Sequence, residues 1–276
     1  MKAHVRLGLA ELTVDLERPI SLAIEVAFTG TEPRHFGAPR ASMHPLAVPG
    51  FPGSVSAGAS CNCSTITLTP HCNGTHTECA GHLTTQPLDA FRVVPPGWVP
   101  AALLTVQPES PGDTDETSDP PPRAGDLLVT RRLLEAAWPA RSVWGTAARA
   151  LVIRTLPNPT EKLRRDYTRE AAPYLSGEAA HWLAGRGIEH LVVDLPSIDR
   201  IHDEGRLTAH RVFFGLPPGA RELPLAGRPQ CTITELAYVP DSAVDGEYLL
   251  ELQVPALGGD AVPSRPLLYE LERPAS

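Results

Sequence analysis

Two apolar runs, ALVIRT at 150–155 and IEHLVVD at 188–194, enclose a helical segment, and this order leaves few folds open. Runs without polar alternation suit strands buried on both faces, as at the centre of a parallel or mixed sheet. Between them Ser176 precedes GEAAHWLAGRG, a helix with Ser176 as N-cap and Gly185 or Gly187 as its stop. Parallel strands joined through a helix need a crossover, which is right-handed in nearly all proteins. The chain is therefore expected to be α/β, with a mixed sheet and flanking helices.

Other segments extend this pattern. VRLGL and PISLAIEVAF read as two early strands parted by Glu17-Arg18-Pro19, and FRVVPPGWVPAALLTV (91–106) as a strand pair about a Pro-Pro-Gly turn. Thr130 is placed to cap a short helix through Ala137, with Pro139 ending it. YLLELQV and PLLYELE return to strands near the end. Residues 31–60 are rich in Pro, Gly, Ala and Ser and read as a long functional loop. Residues 109–125 carry Asp113, Asp115, Glu116 and Asp119 beside three prolines and read as an exposed loop that buries little apolar surface. With no internal repeat and no clear linker, one domain over residues 1–276 is the simplest organisation.

Residues 71 to 82 read His-Cys-Asn-Gly-Thr-His-Thr-Glu-Cys-Ala-Gly-His, so three of the ten histidines cluster around Glu78. Imidazole and carboxylate together are the ligand set of zinc, manganese or iron. The spacings do not suit one face of a helix. His76 and Glu78, two apart, point the same way from an extended segment, and Gly74 lets the chain turn tightly between His71 and His76. STITLT at 64–69 alternates Ile66 and Leu68 with hydroxyls, a half-buried strand pattern, and Pro70 ends its ladder. The stretch reads as a loop wrapped around a metal, against the plainer alternative of a polar surface loop.

The five cysteines, Cys61, Cys63, Cys72, Cys79 and Cys231, suggest no disulfide framework, and their spacing lacks the paired C-x2-C of structural zinc sites. They are expected to pack as small buried residues beside the site. The net charge of -8 argues against nucleic acid as a partner. No apolar run is long enough to span a membrane, and the N-terminal residues lack a secretory pattern, so a cytoplasmic location is expected. No nucleophile elbow, phosphate loop or dinucleotide fingerprint is present. His35 and His44 in the early loop either face substrate or are solvated, with solvation the commoner fate; His181 and His202 read as surface, and Trp98, Trp138, Trp144, Phe213 and Phe214 as packing residues.

Gly74-Thr75-His76-Thr77-Glu78, closed by His82, resembles the H-x-G-T-H-x-D-x-x-x-H signature of the cyclase family of metal-dependent hydrolases, which includes bacterial kynurenine formamidase and isatin hydrolase. Val14-Asp15-Leu16 before Pro19-Ile20 is similar to the family's N-terminal D-L-S-x-P-I. Asp194, Ser197 and Asp199 hold the places of its D-x-x-S-x-D, and His210 and Glu235 those of its later histidine and glutamate. The resemblance implies a swivelling β/β/α fold, a homodimer or higher homo-oligomer, and a small-molecule substrate. It also implies one or two divalent ions, zinc or manganese. His71, His76 and Glu78 would hold one ion, and Glu78 would bridge to a second held by His210 and Glu235, with His82 as ligand or catalytic proton carrier. Asp194 or Asp199 would orient an imidazole or merely cap a turn. The sequence departs from the family twice: one extra residue separates His71 from Gly74, and Glu78 replaces the aspartate. The implied activity is hydrolysis of a carbon–nitrogen bond in an amide, formamide or cyclic amide by metal-bound hydroxide. A lactone hydrolase or ring-closing cyclase would use the same groups, and a noncatalytic binding protein with a degraded site is the alternative of another class.

Overall fold

The computed structural model of the chain describes residues 1–7, 10–138 and 148–272. Its strands are β1 (Lys2–Leu7), β2 (Ala10–Asp15), β3 (Ile20–Ser21), β4 (Ser42–Pro45), β5 (Ser64–Thr67), β6 (His76–Cys79), β7 (Val99–Val106) and β8 (Leu128–Val129). After these come β9 (Ala150–Thr155), β10 (Tyr174–Leu175), β11 (His190–Val193), β12 (Thr232–Glu235), β13 (Gly246–Gln253), β14 (Ala261–Pro263) and β15 (Arg265–Glu272). The α-helices are α1 (Ala90–Val93), α2 (Arg131–Ala137), α3 (Gly177–Gly185) and α4 (Thr208–Phe214).

An 11-stranded sheet runs β1-β2-β15-β13-β7-β9-β11-β12-β6-β14, with β3 paired to β15. Its centre is parallel, β7 to β9 to β11 to β12, as the two apolar runs require. Antiparallel strands flank it, β13 on β7 and β6 on β12. All residues of β9 and β11 are buried. One face packs Leu104, Ile153, Val193 and Ile233 against Leu183 of α3 and Phe213 and Phe214 of α4. The other packs Leu103, Val152 and Val192 with Leu22, Val239 and Tyr248. Fully burying each such side chain contributes about 1.5–3 kcal/mol, so the two-sided cover fixes these central strands. The caps lie where the sequence places them: Thr130 Oγ1 accepts from Leu133 N at 3.3 Å, and Ser176 Oγ from Ala179 N at 2.9 Å.

Three local expectations are corrected. The pair expected within 91–106 is one helical turn, α1, followed by the single strand β7; Val94 N bonds back to Ala90 O, closing a turn instead of a ladder. STITLT forms β5, but β5 pairs only with β4 in a separate two-stranded sheet and is exposed along its whole length. Within PISLAIEVAF only Ile20 and Ser21 form a strand, since β15 offers an edge there for two residues. The acidic 109–125 segment is anchored by hydrogen bonds in place of apolar burial. Glu116 accepts from the amides of Arg131 and Arg132 at the start of α2 and from Ser176 Oγ at the start of α3. Pro139 and Trp144 lie outside the described residues. No described helix is long and apolar enough to cross a membrane.

Candidate metal centre

Strand β6 lies between β12 and β14, and the registers decide which side chains meet. His76 sits opposite Glu235 on β12, and Glu78 opposite Ile233. His76 and Glu78 share one face of β6, while Thr77 turns to the other, where its Oγ1 meets Thr234 Oγ1 at 2.7 Å. Gly74 has φ +152, and a Cβ there would come within 2.7 Å of Val26 Cγ2, so the turn into β6 requires glycine. The extra residue after His71 is taken up in a 3-10 turn, Pro70–Cys72, in which both Cys72 N and Asn73 N bond to Thr69 O. A second such turn, Ala80–Leu83, presents His82. Helix α4 brings His210 from beyond β11. Asp199 accepts from the amides of Ala209 and His210 and so fixes the start of that helix.

Each imidazole of the cluster except His71 is held from behind at Nδ1. His76 Nδ1 lies 3.0 Å from Gly74 O, His210 Nδ1 2.7 Å from Asp199 Oδ2, and His82 Nδ1 3.2 Å from Asp260 Oδ2. Fixing Nδ1 sets the tautomer and leaves Nε2 to act as ligand, the arrangement found behind metal-bound histidines. The Nε2 atoms face the carboxylates. His76 Nε2 is 3.4 Å from Glu235 Oε2, and His210 Nε2 is 3.0 Å from Glu78 Oε1 and 3.4 Å from Glu235 Oε1. His71 Nε2 is 3.5 Å, and His82 Nε2 3.9 Å, from Glu78 Oε2. Donors bound to one ion at about 2.1 Å, at angles of 90–109°, stand about 3.0–3.4 Å apart, close to the shorter of these spacings.

The unmet valences agree with this fit. Both oxygens of Glu78, and Nε2 of His71, His76 and His210, are buried without a hydrogen-bond partner. A buried carboxylate bare on both oxygens costs several kcal/mol unless a cation faces it. The donors fall into two groups sharing Glu78: His76, Glu78 and Glu235, wholly buried, and His71, Glu78 and His82, nearer the surface. His71 thus stands with His82, not with His76 as the family pattern implies.

The electrostatics point the same way. Burial alone would raise the Glu78 carboxyl, but His82 and His210 outweigh it and hold it below the usual carboxylate range. Glu235, equally buried, is held well down by His210 and His76. Burial opposes a charge on His210, yet Glu78 and Asp199 raise it well above the ordinary imidazole value. His82 is raised chiefly by the charge of Glu78, against burial and with help from Asp260. The centre favours positive charge.

Over the centre lies a cavity of about 350 Å³ whose lining includes Glu78, His82, His210 and Glu235, with Phe36, Ile201 and Leu207 as apolar wall. His35 also lines it; it is 8% exposed, and its Nδ1 has no partner. The commoner fate expected of His35, solvation, is therefore corrected: Cys72 O binds its amide and draws the loop inward. His44, His181 and His202 are exposed. Cys72 and Cys79 are buried beside His71 and Glu78, and Cys231 is buried at the other end of β12, but Cys61 and Cys63 are exposed in the loop between β4 and β5. Trp98 is 48% exposed, unlike the packed Phe213 and Phe214. Asp194 orients no imidazole; it pairs with buried Lys162 at 2.7 Å and with Thr155.

The cyclase family model matches residues 14–200, more than half of the chain. The chain belongs to the cyclase family. The matched part of this cyclase-family chain includes His71 to His82 and Asp199, whereas His210, Glu235 and Asp260 lie beyond it and are joined to the centre by the fold. Similar solved structures include a predicted metal-dependent hydrolase from Bacillus stearothermophilus, 17% identical, with a TM-score of 0.58 over 91% of this chain and 98% of that one. Isatin hydrolase A from Labrenzia aggregata, bound to benzyl benzoate, is 16% identical, with a TM-score of 0.57 over 91% and 93%. An isatin hydrolase bound to the product analogue thioisatinate is 15% identical, with a TM-score of 0.54 over 84% and 82%. These likenesses establish the fold, an α/β domain built on a large mixed sheet. No curated protein matches the chain by sequence.

Sequence reasoning missed Asp260 altogether. It lies 178 positions after His82, and its only local cue is the turn-forming Gly258-Gly259 before it.

Proposed function

We propose that this cyclase-family chain is a metal-dependent hydrolase that cleaves a carbon–nitrogen bond in an amide, formamide or cyclic amide. The observation that carries this reading is the convergence of His76, His210, Glu235 and Glu78 at the floor of the 350 Å³ cavity, with both Glu78 oxygens buried and without a hydrogen-bond partner. His76, His210, Glu235 and Glu78, with His71, would hold zinc or manganese. A divalent ion there would polarise a substrate carbonyl and lower the pKa of bound water from 15.7 to about 7.

The chain's own residues supply the rest. Asp199 and Gly74 O fix the rings of His210 and His76, so the ligand set is preorganised. His82, fixed at Nδ1 by Asp260 and with Nε2 toward the cavity floor, is placed to carry a proton to the departing nitrogen. Phe36, Ile201 and Leu207 enclose the apolar body of a small substrate and thin the water around the reacting bond. A homodimer is part of the same reading, supported by the apolar side chains Met43, Val48 and Ile66 that the β4–β5 arm leaves 47–53% exposed. Sedimentation of the wild type against Ile66→Lys tests it, with a shift to monomer expected.

The deciding experiment is metal analysis of protein purified without chelator, beside amidase assays on formamides and cyclic amides. One or two equivalents of zinc or manganese, lost in His76→Ala together with activity, are expected. A chain that takes up no metal on titration would be a binding protein on the hydrolase fold, and the proposal would fall.

A further inference from the structure

Asp199 fixes the start of α4 and holds His210, and the same backbone carries the next residue, Arg200, to the wall of the metal cavity. Ile198 N donates to Glu235 Oε1 at 2.8 Å and ties this segment to the centre. His35 reaches the wall through its amide, which donates to Cys72 O at 3.1 Å, one residue past His71. Arg200 and His35, with Pro196 and Ile201, also border a smaller cavity of about 110 Å³ behind the wall, which Asp126 lines.

Arginine is rarely buried unless its charge is paired and its N–H groups are bonded. The Arg200 side chain is only 11% exposed, yet among the described residues it makes one ion pair and no aligned hydrogen bond. Its Nε lies 3.3 Å from Asp126 Oδ2, an oxygen already taken at 2.8 Å by both Arg123 N and Tyr174 OH. Its Nη1 is buried with no partner, and so is Nδ1 of His35 in the same wall. Asp203 lines the cavity as well, but its oxygens are spent on the amides of Gly205 and Leu207, at 2.8 and 2.6 Å. Leaving a buried charged donor unsatisfied costs free energy that an anion bound there recovers. A carboxylate is the anion whose paired oxygens match the guanidinium fork.

We propose that Arg200 is the specificity residue of this hydrolase: with His35 as a second donor, it binds a carboxylate that the substrate carries away from the bond to be cut. The substrate class is then acidic amides, with an apolar spacer between carboxylate and amide lying against Phe36, Ile201 and Leu207. This assignment rests on the hydrolase reading above and deepens it, because the wall recognises the substrate while the floor performs the chemistry.

The test compares formanilide with the ortho, meta and para formamidobenzoates on the full chain loaded with Mn²⁺. Initial rates are measured for these probes, and calorimetry gives the binding of the matching products, aniline and the aminobenzoates. In the wild type at least one formamidobenzoate is expected to exceed formanilide at least about tenfold in kcat/KM, chiefly through KM, and its product to bind more tightly than aniline by a similar factor. That is the scale of one hydrogen bond to a charged group. Arg200→Gln is expected to erase the preference, and Arg200→Lys, which keeps the charge without the fork, to retain part of it. His35→Ala, on a different loop, is expected to reduce it by a smaller factor, which keeps the test open if Arg200→Gln fails to fold by far-UV circular dichroism. A wild type with no preference for any carboxylated probe overturns the proposal, and cleavage of the formamides in that case leaves the hydrolase reading standing. A preference that survives in folded Arg200→Gln overturns it too, since the carboxylate then sits on the metal ion. Binding preference that depends on Arg200, with no formamide cleaved, supports the carboxylate site and counts against the hydrolase reading.

Discussion

Strand β12 has a buried histidine beside each end, and the two have opposite fates. At its start Thr232 Oγ1 holds Nδ1 of His190 at 2.9 Å, and among the described residues no carboxylate forms an ion pair with that ring. At its finish Glu235 stands 3.4 Å from His210 Nε2, with Glu78 closer still. The exposures are 2% for His190 and 1% for His210. Burial drives the His190 imidazole down to about 4, whereas Glu78 and Asp199 raise His210 well above 6.5 against the same burial. The contrast teaches that a buried histidine alone says nothing about chemistry. What marks a site is a buried carboxylate, Glu78, left bare on both oxygens beside it.

The comparison breaks most completely at Glu78. Glu78→Gln removes the charge shared by both donor groups while keeping the shape, so both metal equivalents are expected to be lost after dialysis, with loss of turnover. Retention of either equivalent would show that the rings alone can bind, and the contrast with His190 would lose its basis. A smaller effect is expected at His82, whose role is in proton transfer. His82→Ala should keep the ion of the wholly buried donor group and slow turnover by roughly a hundredfold or more, the usual scale for a positioned acid–base group. Loss of that ion in the variant would make His82 a ligand there. Next comes Asp199→Asn, which touches no ion but removes the carboxylate charge behind Nδ1 of His210. Loss of such a partner typically weakens metal affinity about 10–100-fold, and titration with a competing chelator would measure it. An unchanged affinity would show that α4 holds the ring without Asp199.

These residues also show what could be read in advance. The ligands within 71–82 were legible because strand periodicity puts His76 and Glu78 on one face, and Gly74 announces the turn before them. The sheet centre was legible because strands buried on both faces carry no polar alternation. Asp260 was not, since its place depends on a three-residue strand found by pairing, with no composition of its own. Nor was the exposure of β5, because alternation records that one face is apolar without saying whether anything covers it. His35 escaped for a similar reason: its loop is pulled inward by one backbone hydrogen bond from its amide to Cys72 O.

The smallest predicted effect concerns the other end of β12 and is one of stability. The folded His190 titrates at about 4, against 6.5 for a free imidazole. Between those values the unfolded chain binds the proton and the folded chain does not, so this group lowers stability as pH falls through 6.5, and its effect is complete below about 4. The full difference is about 3 kcal/mol, of which about 2 kcal/mol is reached by pH 5. Above pH 7.5 both states are neutral, and the group contributes no pH dependence. His190→Gln cannot titrate, and its amide can still meet Thr232. Urea unfolding of both proteins at pH 7.5 and 5 should therefore show a fall in stability smaller by about 2 kcal/mol in the variant, since all other titrating groups are common to both. Parallel curves would mean that His190 accepts a proton in the folded state. In that case the bare ring beside Thr232 would be as tolerant of charge as the ring beside Glu78, and burial would not separate the two ends of the strand.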